Sequence, residues 1–110
     1  MQIIQNYIDG KLVEPISTNY LDNINPSIGE VYSKIPDSDE RDVKNAVLAA
    51  QKAFPSWSKT SAENRSKVIL KIADLIDKNL DKLALAESID NGKPLKLAKT
   101  VDIPRASANF

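Results

Sequence analysis

Glu87-Ser88-Ile89-Asp90-Asn91-Gly92-Lys93-Pro94 closes one helix and opens another. Gly92 takes at little cost the left-handed conformation that ends a helix, with Asn91 just before it. Pro94, two residues on, suits the first turn of a new helix, where its missing N–H would have had no partner. Upstream, Leu80, Leu83, Leu85, Ala86 and Ile89 are spread around the helix, the pattern of an element covered on several sides, and Asn79 is expected to cap its start. Downstream, Leu97, Ala98 and Val101 continue a fourth helix as far as Pro104. Pro104 removes a backbone donor and biases Ile103 away from helical backbone, so a kink or restart is expected there.

Working back toward the N-terminus, Thr60 and Glu63 have capping-box spacing ahead of the stripe Val68, Ile69, Ile72, Ala73, Leu75, Ile76 and Leu80. That stripe covers nearly half a helix circumference, enough to touch more than one neighbour. An earlier helix has Ser38 as its expected N-cap, Asp39 and Glu40 in its first turn, and Val43, Ala46, Val47, Ala50, Ala53 and Phe54 at helical spacing, with Pro55 expected to stop it. Before Pro36 the period is two. Val31, Ser33 and Ile35 alternate with Glu30, Tyr32 and Lys34, and Asn25-Pro26-Ser27-Ile28-Gly29 supplies a turn back to the extended segment Tyr20 to Asn25. Asn6-Tyr7-Ile8 and Lys11-Leu12-Val13 flank Asp9-Gly10, a pair that favours a type I′ hairpin. The pattern predicts two short β-hairpins over residues 1–35 and about four α-helices over 36–110.

Composition narrows the function. A chain of 110 residues holds one small domain or part of one. Fifteen basic residues balance fifteen acidic ones with no long run of one sign, which argues against nucleic acid or an anionic membrane surface as partner. The apolar runs are short and the start carries no export signal, so a cytoplasmic location is expected. With no cysteine and no histidine, thiol nucleophiles, Ser-His-Asp constellations and the usual zinc sites are all excluded, and three glycines do not make a phosphate-cradling loop. Neither a catalytic nor a cofactor-binding residue is assigned within these 110.

Asn6-Tyr7-Ile8-Asp9-Gly10-Lys11, Asn25 to Val31, Ala46-Val47 with Ala49-Ala50 and Ala53-Phe54, and Glu87 to Pro94 together resemble the start of the NAD(P)-dependent aldehyde dehydrogenase superfamily, in the family's order and over nearly the whole chain. Ala53 to Ser58 and Leu97 to Arg105 look most like a branch that acts on a semialdehyde. The resemblance implies an α/β fold in which this stretch is the N-terminal part of a Rossmann-like nucleotide-binding domain. It implies NAD or NADP as cofactor, an aldehyde substrate and a homo-oligomer for the full enzyme. In that family a cysteine thiolate attacks the aldehyde, hydride passes to the nicotinamide, and a glutamate activates water. None of those segments matches residues here, nor does the catalytic domain. The chain, ending at Ala106-Ser107-Ala108-Asn109-Phe110 without a clear cap, is expected to be a piece that binds no NAD(P) alone and works with the remainder of an aldehyde dehydrogenase chain. The alternative is a non-catalytic helical interaction module derived from the family.

The resemblance also assigns one site: Asp90 with the backbone carbonyls of Asn23 and Ile24 would bind sodium or potassium, a hard ion that takes oxygen ligands. Satisfying backbone donors at its own helix end is the alternative role for Asp90. Lys93 is explained by capping and the helix dipole, Glu87 as a solvated or capped carboxylate, and Trp57 by packing on a neighbouring helix.

Overall fold

A computed structural model describes residues 1–110. The elements are β1 (Gln2–Ile3), β2 (Asn6–Ile8), β3 (Lys11–Val13), β4 (Tyr20–Asn25), β5 (Glu30–Pro36), α1 (Glu40–Trp57), α2 (Ala62–Lys78), α3 (Leu80–Asn91), α4 (Leu95–Leu97), a π-helical turn Ala98–Asp102, and α5 (Ile103–Ala108). They form two compact units, Met1–Ile24 with Glu30–Lys59, and Asn25–Gly29 with Thr60–Phe110.

In the first unit β2 and β3 pair antiparallel with Tyr7 opposite Leu12. Asp9 and Gly10 both have positive φ, 53° and 74°, as a type I′ turn requires. The second expected hairpin is also present: β4 and β5 are neighbours joined across residues 26–29, a connection too short for parallel strands. A third strand that sequence reading leaves out, β1, pairs parallel with β5, Gln2 opposite Ser33 and Ile3 opposite Lys34. β5 therefore lies in the middle of a three-stranded sheet, and Ser33 is fully buried.

Two expectations about α1 change. Its N-cap is Asp39 and not Ser38: the Asp39 carboxylate accepts from the Arg41 amide at 2.9 Å, while Asp42 accepts from the Asp39 amide at 3.0 Å, a capping box with aspartates at both ends. The Ser38 hydroxyl is instead paired with the Asn6 side chain at 2.8 Å. Pro55 does not stop the helix, which runs to Trp57. Only Ser56 and Trp57 remain beyond the proline, and serines satisfy carbonyls at this end, Ser56 Oγ donating to the Ala53 carbonyl at 3.0 Å and Ser58 Oγ to the Pro55 carbonyl at 3.2 Å.

In the second unit α2 is capped by Ser61, whose hydroxyl accepts from the Asn64 amide at 3.2 Å; Thr60 is not the cap, and Glu63 pairs with Lys67 one turn on. Asn79 stands between α2 and α3 with φ −107° and ψ 18°, far from the extended backbone of an N-cap. Its side-chain amide donates to the Leu75 carbonyl at 2.8 Å, so it closes α2 in place of capping α3. α2 packs against both α3 and α5, the two neighbours its wide stripe called for. Yet none of its residues is buried, and on α3 only Ala84 is, so α3 is covered far less than its all-round apolar pattern implied.

α3 ends at Asn91, and Gly92 has φ 77°. Pro94 precedes α4, and the expected disturbance near Pro104 takes the form of the π-turn. Ile103 itself stays helical at φ −70° and ψ −43°, contrary to the bias that the proline imposes on it. Its N–H reaches back five residues to the Ala98 carbonyl. The wider turn accommodates the proline without forcing Ile103 out of the helical region.

Candidate functional site

The densest polar arrangement surrounds the link between α3 and α4. The Gly92 amide bonds to the Ser88 carbonyl at 3.0 Å, Ser88 Oγ donates to the Lys93 carbonyl at 2.7 Å, and the Lys93 amide donates to Asn91 Oδ1 at 3.0 Å. Asn91 Nδ2 donates to Glu87 Oε1 at 2.7 Å. Lys93 Nζ lies 2.6 Å from Asp102 Oδ2 and 3.4 Å from Glu87 Oε1. A Cβ built on Gly92 would stand 3.0 Å from the Pro26 ring, so glycine is required there twice, for its positive φ and for the close approach of the turn at residues 25–29. That turn is rigid: the Asn25 carbonyl accepts from Gly29 at 2.8 Å and its side chain from Ser27 at 3.0 Å.

Lys93 is held protonated above the usual lysine value, chiefly by its hydrogen bond to Asp102 and secondarily by Glu87. A lysine in that state donates and positions; it is not a nucleophile. Glu87 is engaged by Asn91 and Lys93, in keeping with a capped carboxylate. Asp90 is exposed in the last turn of α3 in the second unit. Asn23 and Ile24 belong to β4 in the first unit, where Asn23 Nδ2 donates to Tyr32 Oη at 2.9 Å and the Ile24 side chain is largely exposed. No group of three or more carboxylate, histidine or cysteine side chains is placed to hold a metal. Trp57 is 45 % exposed at the end of α1, the only helix of its unit, so the neighbouring helix expected to cover it is not in that unit.

Three buried polar groups lie outside the candidate site drawn from the sequence. Asp42 is 4 % exposed and accepts from the backbone amides of both Ile16 and Asp39 at 3.0 Å, tying the loop after β3 to the start of α1. The Asp39–Asp42 spacing is its sequence signal, read one residue too early when Ser38 is taken as the cap. The hydroxyls of Ser33 and Tyr20 are buried without a hydrogen-bond partner, and burial with the Glu14 charge pushes the Tyr20 phenol above its ordinary value. The period-two pattern puts Ser33 on the apolar face with Val31 and Ile35, but no sequence signal marks the Tyr20 hydroxyl, whose burial comes from its neighbours in the fold.

An open apolar groove of about 330 Å³ lies between α2 and α3, lined by Ile72, Leu75, Ile76 and Leu83 with Asn79 and Lys82 at its edge. No helix is long and apolar enough to cross a membrane.

Against known proteins, the profile of the aldehyde dehydrogenase family matches residues 12–110. The chain is 48 % identical over 108 residues to human 2-aminomuconic semialdehyde dehydrogenase, covering 98 % of this chain and 22 % of that protein. It is 43 % identical to a long-chain-aldehyde dehydrogenase of Acinetobacter, covering 96 % of this chain and 21 % of the relative. Among solved structures it superposes with TM-score 0.94 and 37 % identity on PnpE in complex with nicotinamide adenine dinucleotide, covering 98 % of this chain and 22 % of PnpE. An NAD-dependent aldehyde dehydrogenase from Sinorhizobium meliloti gives TM-score 0.91 at 36 % identity, with 97 % and 22 % covered. The chain thus spans about a fifth of the length of the relatives it matches.

Proposed function

Because the chain belongs to the aldehyde dehydrogenase family, we propose that residues 1–110 supply the N-terminal part of the nucleotide-binding domain of an enzyme that oxidises a semialdehyde to a carboxylate with NAD. The observation that carries this reading is near-complete coverage of the chain by an NAD-bound relative of which it matches 22 %. These residues hold no cysteine, so the thiolate and the hydride step belong to the part of the relatives' length that the chain does not span. The part played here is architectural: a capped and cross-braced end of α3, and apolar helix faces against which the rest of a nucleotide-binding domain can pack. The same reading takes the enzyme as a homo-oligomer and as cytoplasmic. It also takes Asp90, with the carbonyls of Asn23 and Ile24, as an oxygen-only donor set suited to sodium or potassium.

Two measurements test it. Residues 1–110 alone are expected to show no NAD binding in calorimetry. Joined to the remaining length of the human relative, they are expected to support NAD reduction with the semialdehyde; a folded but inactive chimera would overturn the assignment. In that chimera Asp90→Ala should weaken the rise in melting temperature given by sodium or potassium more than Glu87→Ala does. Equal shifts for the two variants would remove the cation role and leave the helix-end role.

A further inference from the structure

The chain from Leu95 to Ala108 does not keep one helical phase. Ile103 N–H bonds to Ala98, five residues back, and Pro104 has no N–H, so the turn Ala98–Asp102 holds one residue more than an α-turn would. Ala98 is buried, and residues 102, 103, 106 and 107 are all half-buried, so it is a hydrogen bond that fixes the phase: Ser107 Oγ, nine residues on, donates to the Ala73 carbonyl of α2 at 3.3 Å. In an uninterrupted α-helix that side would pass to residues 102 and 106, because one residue corresponds to about 100° of rotation. The turn is tied down at two places. Asp102 pairs with Lys93 at 2.6 Å beyond the end of α3, and Lys99 pairs with Asp81 at 2.9 Å in the first turn of α3.

We propose that this π-turn is a one-residue phase insert that selects the face α5 lays on α2, imposed by Pro104 and latched by the pair Lys99–Asp81 onto α3 and by the pair Lys93–Asp102 onto the link that follows it. Pro104 sets the pitch because an α-helical carbonyl of Thr100 would meet its ring. The ion pairs hold the widened turn in one place, so that the extra residue is not passed along the helix. With the insert, Ser107 meets α2. Without it, α5 turns by about 100° and presents Ala106 instead.

Trapping is done in the chimera that joins residues 1–110 to the remaining length of the human relative, and because these 110 residues contain no cysteine the introduced pair is identified by its own cross-linked peptide. Ala73→Cys is combined in separate proteins with Ala106→Cys, Ser107→Cys or Ala108→Cys, and the rate of cross-linking under mild oxidation is followed. In the parent the Ser107→Cys protein is expected to close fastest, about tenfold ahead of its neighbours, since disulfide formation demands a narrow Cα separation and Cβ direction. Adding Pro104→Ala, Lys93→Met and Lys99→Met should shift the preference to the Ala106→Cys protein. Deleting Thr100 in that background removes the extra residue by hand and should return the preference to Ser107→Cys. Equal rates at all three positions in the parent would overturn the proposal, as would a Ser107→Cys preference that survives the triple substitution. If the triple variant merely loses all preference, restoration by the Thr100 deletion supports the phase insert, and failure to restore overturns it.

Discussion

The segment from Glu87 to Pro94 and the helix α2 belong to the same unit and are finished to very different degrees. In the first, Ser88, Asn91, Glu87 and Lys93 satisfy one another and the local backbone over a span of eight residues. In the second, seventeen residues include none that is buried, and Val68, Ile69, Leu70 and Leu75 are 40–58 % exposed. The polar groups at this helix end need one partner each and find it a few positions along the chain. Apolar groups need area, and area comes only from whole neighbouring elements. A stretch of family sequence can therefore complete its hydrogen bonds locally while leaving its apolar surface uncovered.

The largest effect that could break this comparison concerns the whole chain. Fully burying one Leu or Ile side chain contributes about 1.5–3 kcal/mol, so a handful of uncovered ones forgo as much as a domain's net stability of about 5–15 kcal/mol. Residues 1–110 are expected to show helical circular dichroism together with dye binding, self-association and a broad melt. A sharp melt of a dye-silent monomer would mean that α2 is finished after all.

Next in size is Gly92→Val, which puts a branched residue at φ 77° and a Cβ 3.0 Å from the Pro26 ring, closer than ordinary van der Waals contact. A loss of about 2–3 kcal/mol is expected in the protection of amides from Gly92 to Leu97, measured by hydrogen exchange. Asp42→Ala should cost about 1–3 kcal/mol by leaving the Ile16 and Asp39 amides without their acceptor, read in the same way at those two positions.

Lys93→Met probes the polar brace by pH. The lysine's value is raised in the folded chain, so its contribution is complete below the ordinary lysine value of about 10.4 and is lost as pH rises through the elevated one. At neutral pH the variant should therefore lose protection in the 93–102 amides, and at high pH parent and variant should converge. A difference that persists in strong base would place the effect in packing of the lysine stem.

The smallest effect is expected at Leu70→Lys, on the uncovered helix. At 58 % exposure the leucine gives up little, so local stability should stay within about 0.5 kcal/mol while dye binding falls. A loss several times larger would show that this face is covered.

Legibility followed the same division. The Asp9-Gly10 hairpin, the turn after Asn25, the stop at Gly92 and the disturbance ahead of Pro104 were all readable, because each depends on the φ preference of one or two residues. Caps were readable in kind but shifted in position. Asp39 and Ser61 took the places expected of Ser38 and Thr60, since adjacent oxygen-bearing side chains compete for the same amides. Asn79 carries the residue type of an N-cap yet closes the preceding helix, because its amide serves a carbonyl behind it as readily as its oxygen serves an amide ahead.

By itself the sequence determined the order of β2 to β5 and of the helices, most of their ends, and the family, because these rest on local backbone preference and on strings of residues in register. Tertiary structure alone decided that β1 lies parallel to β5, that Ser33 and Ala84 are buried while the leucines of α2 are not, and that Lys93 meets Asp102. The phase of α5 on α2 belongs with these. Each is a contact between residues whose separation along the chain carries no preference for meeting, and it forms only when entire surfaces come together and the entropy of closing the intervening chain is offset by what they bury.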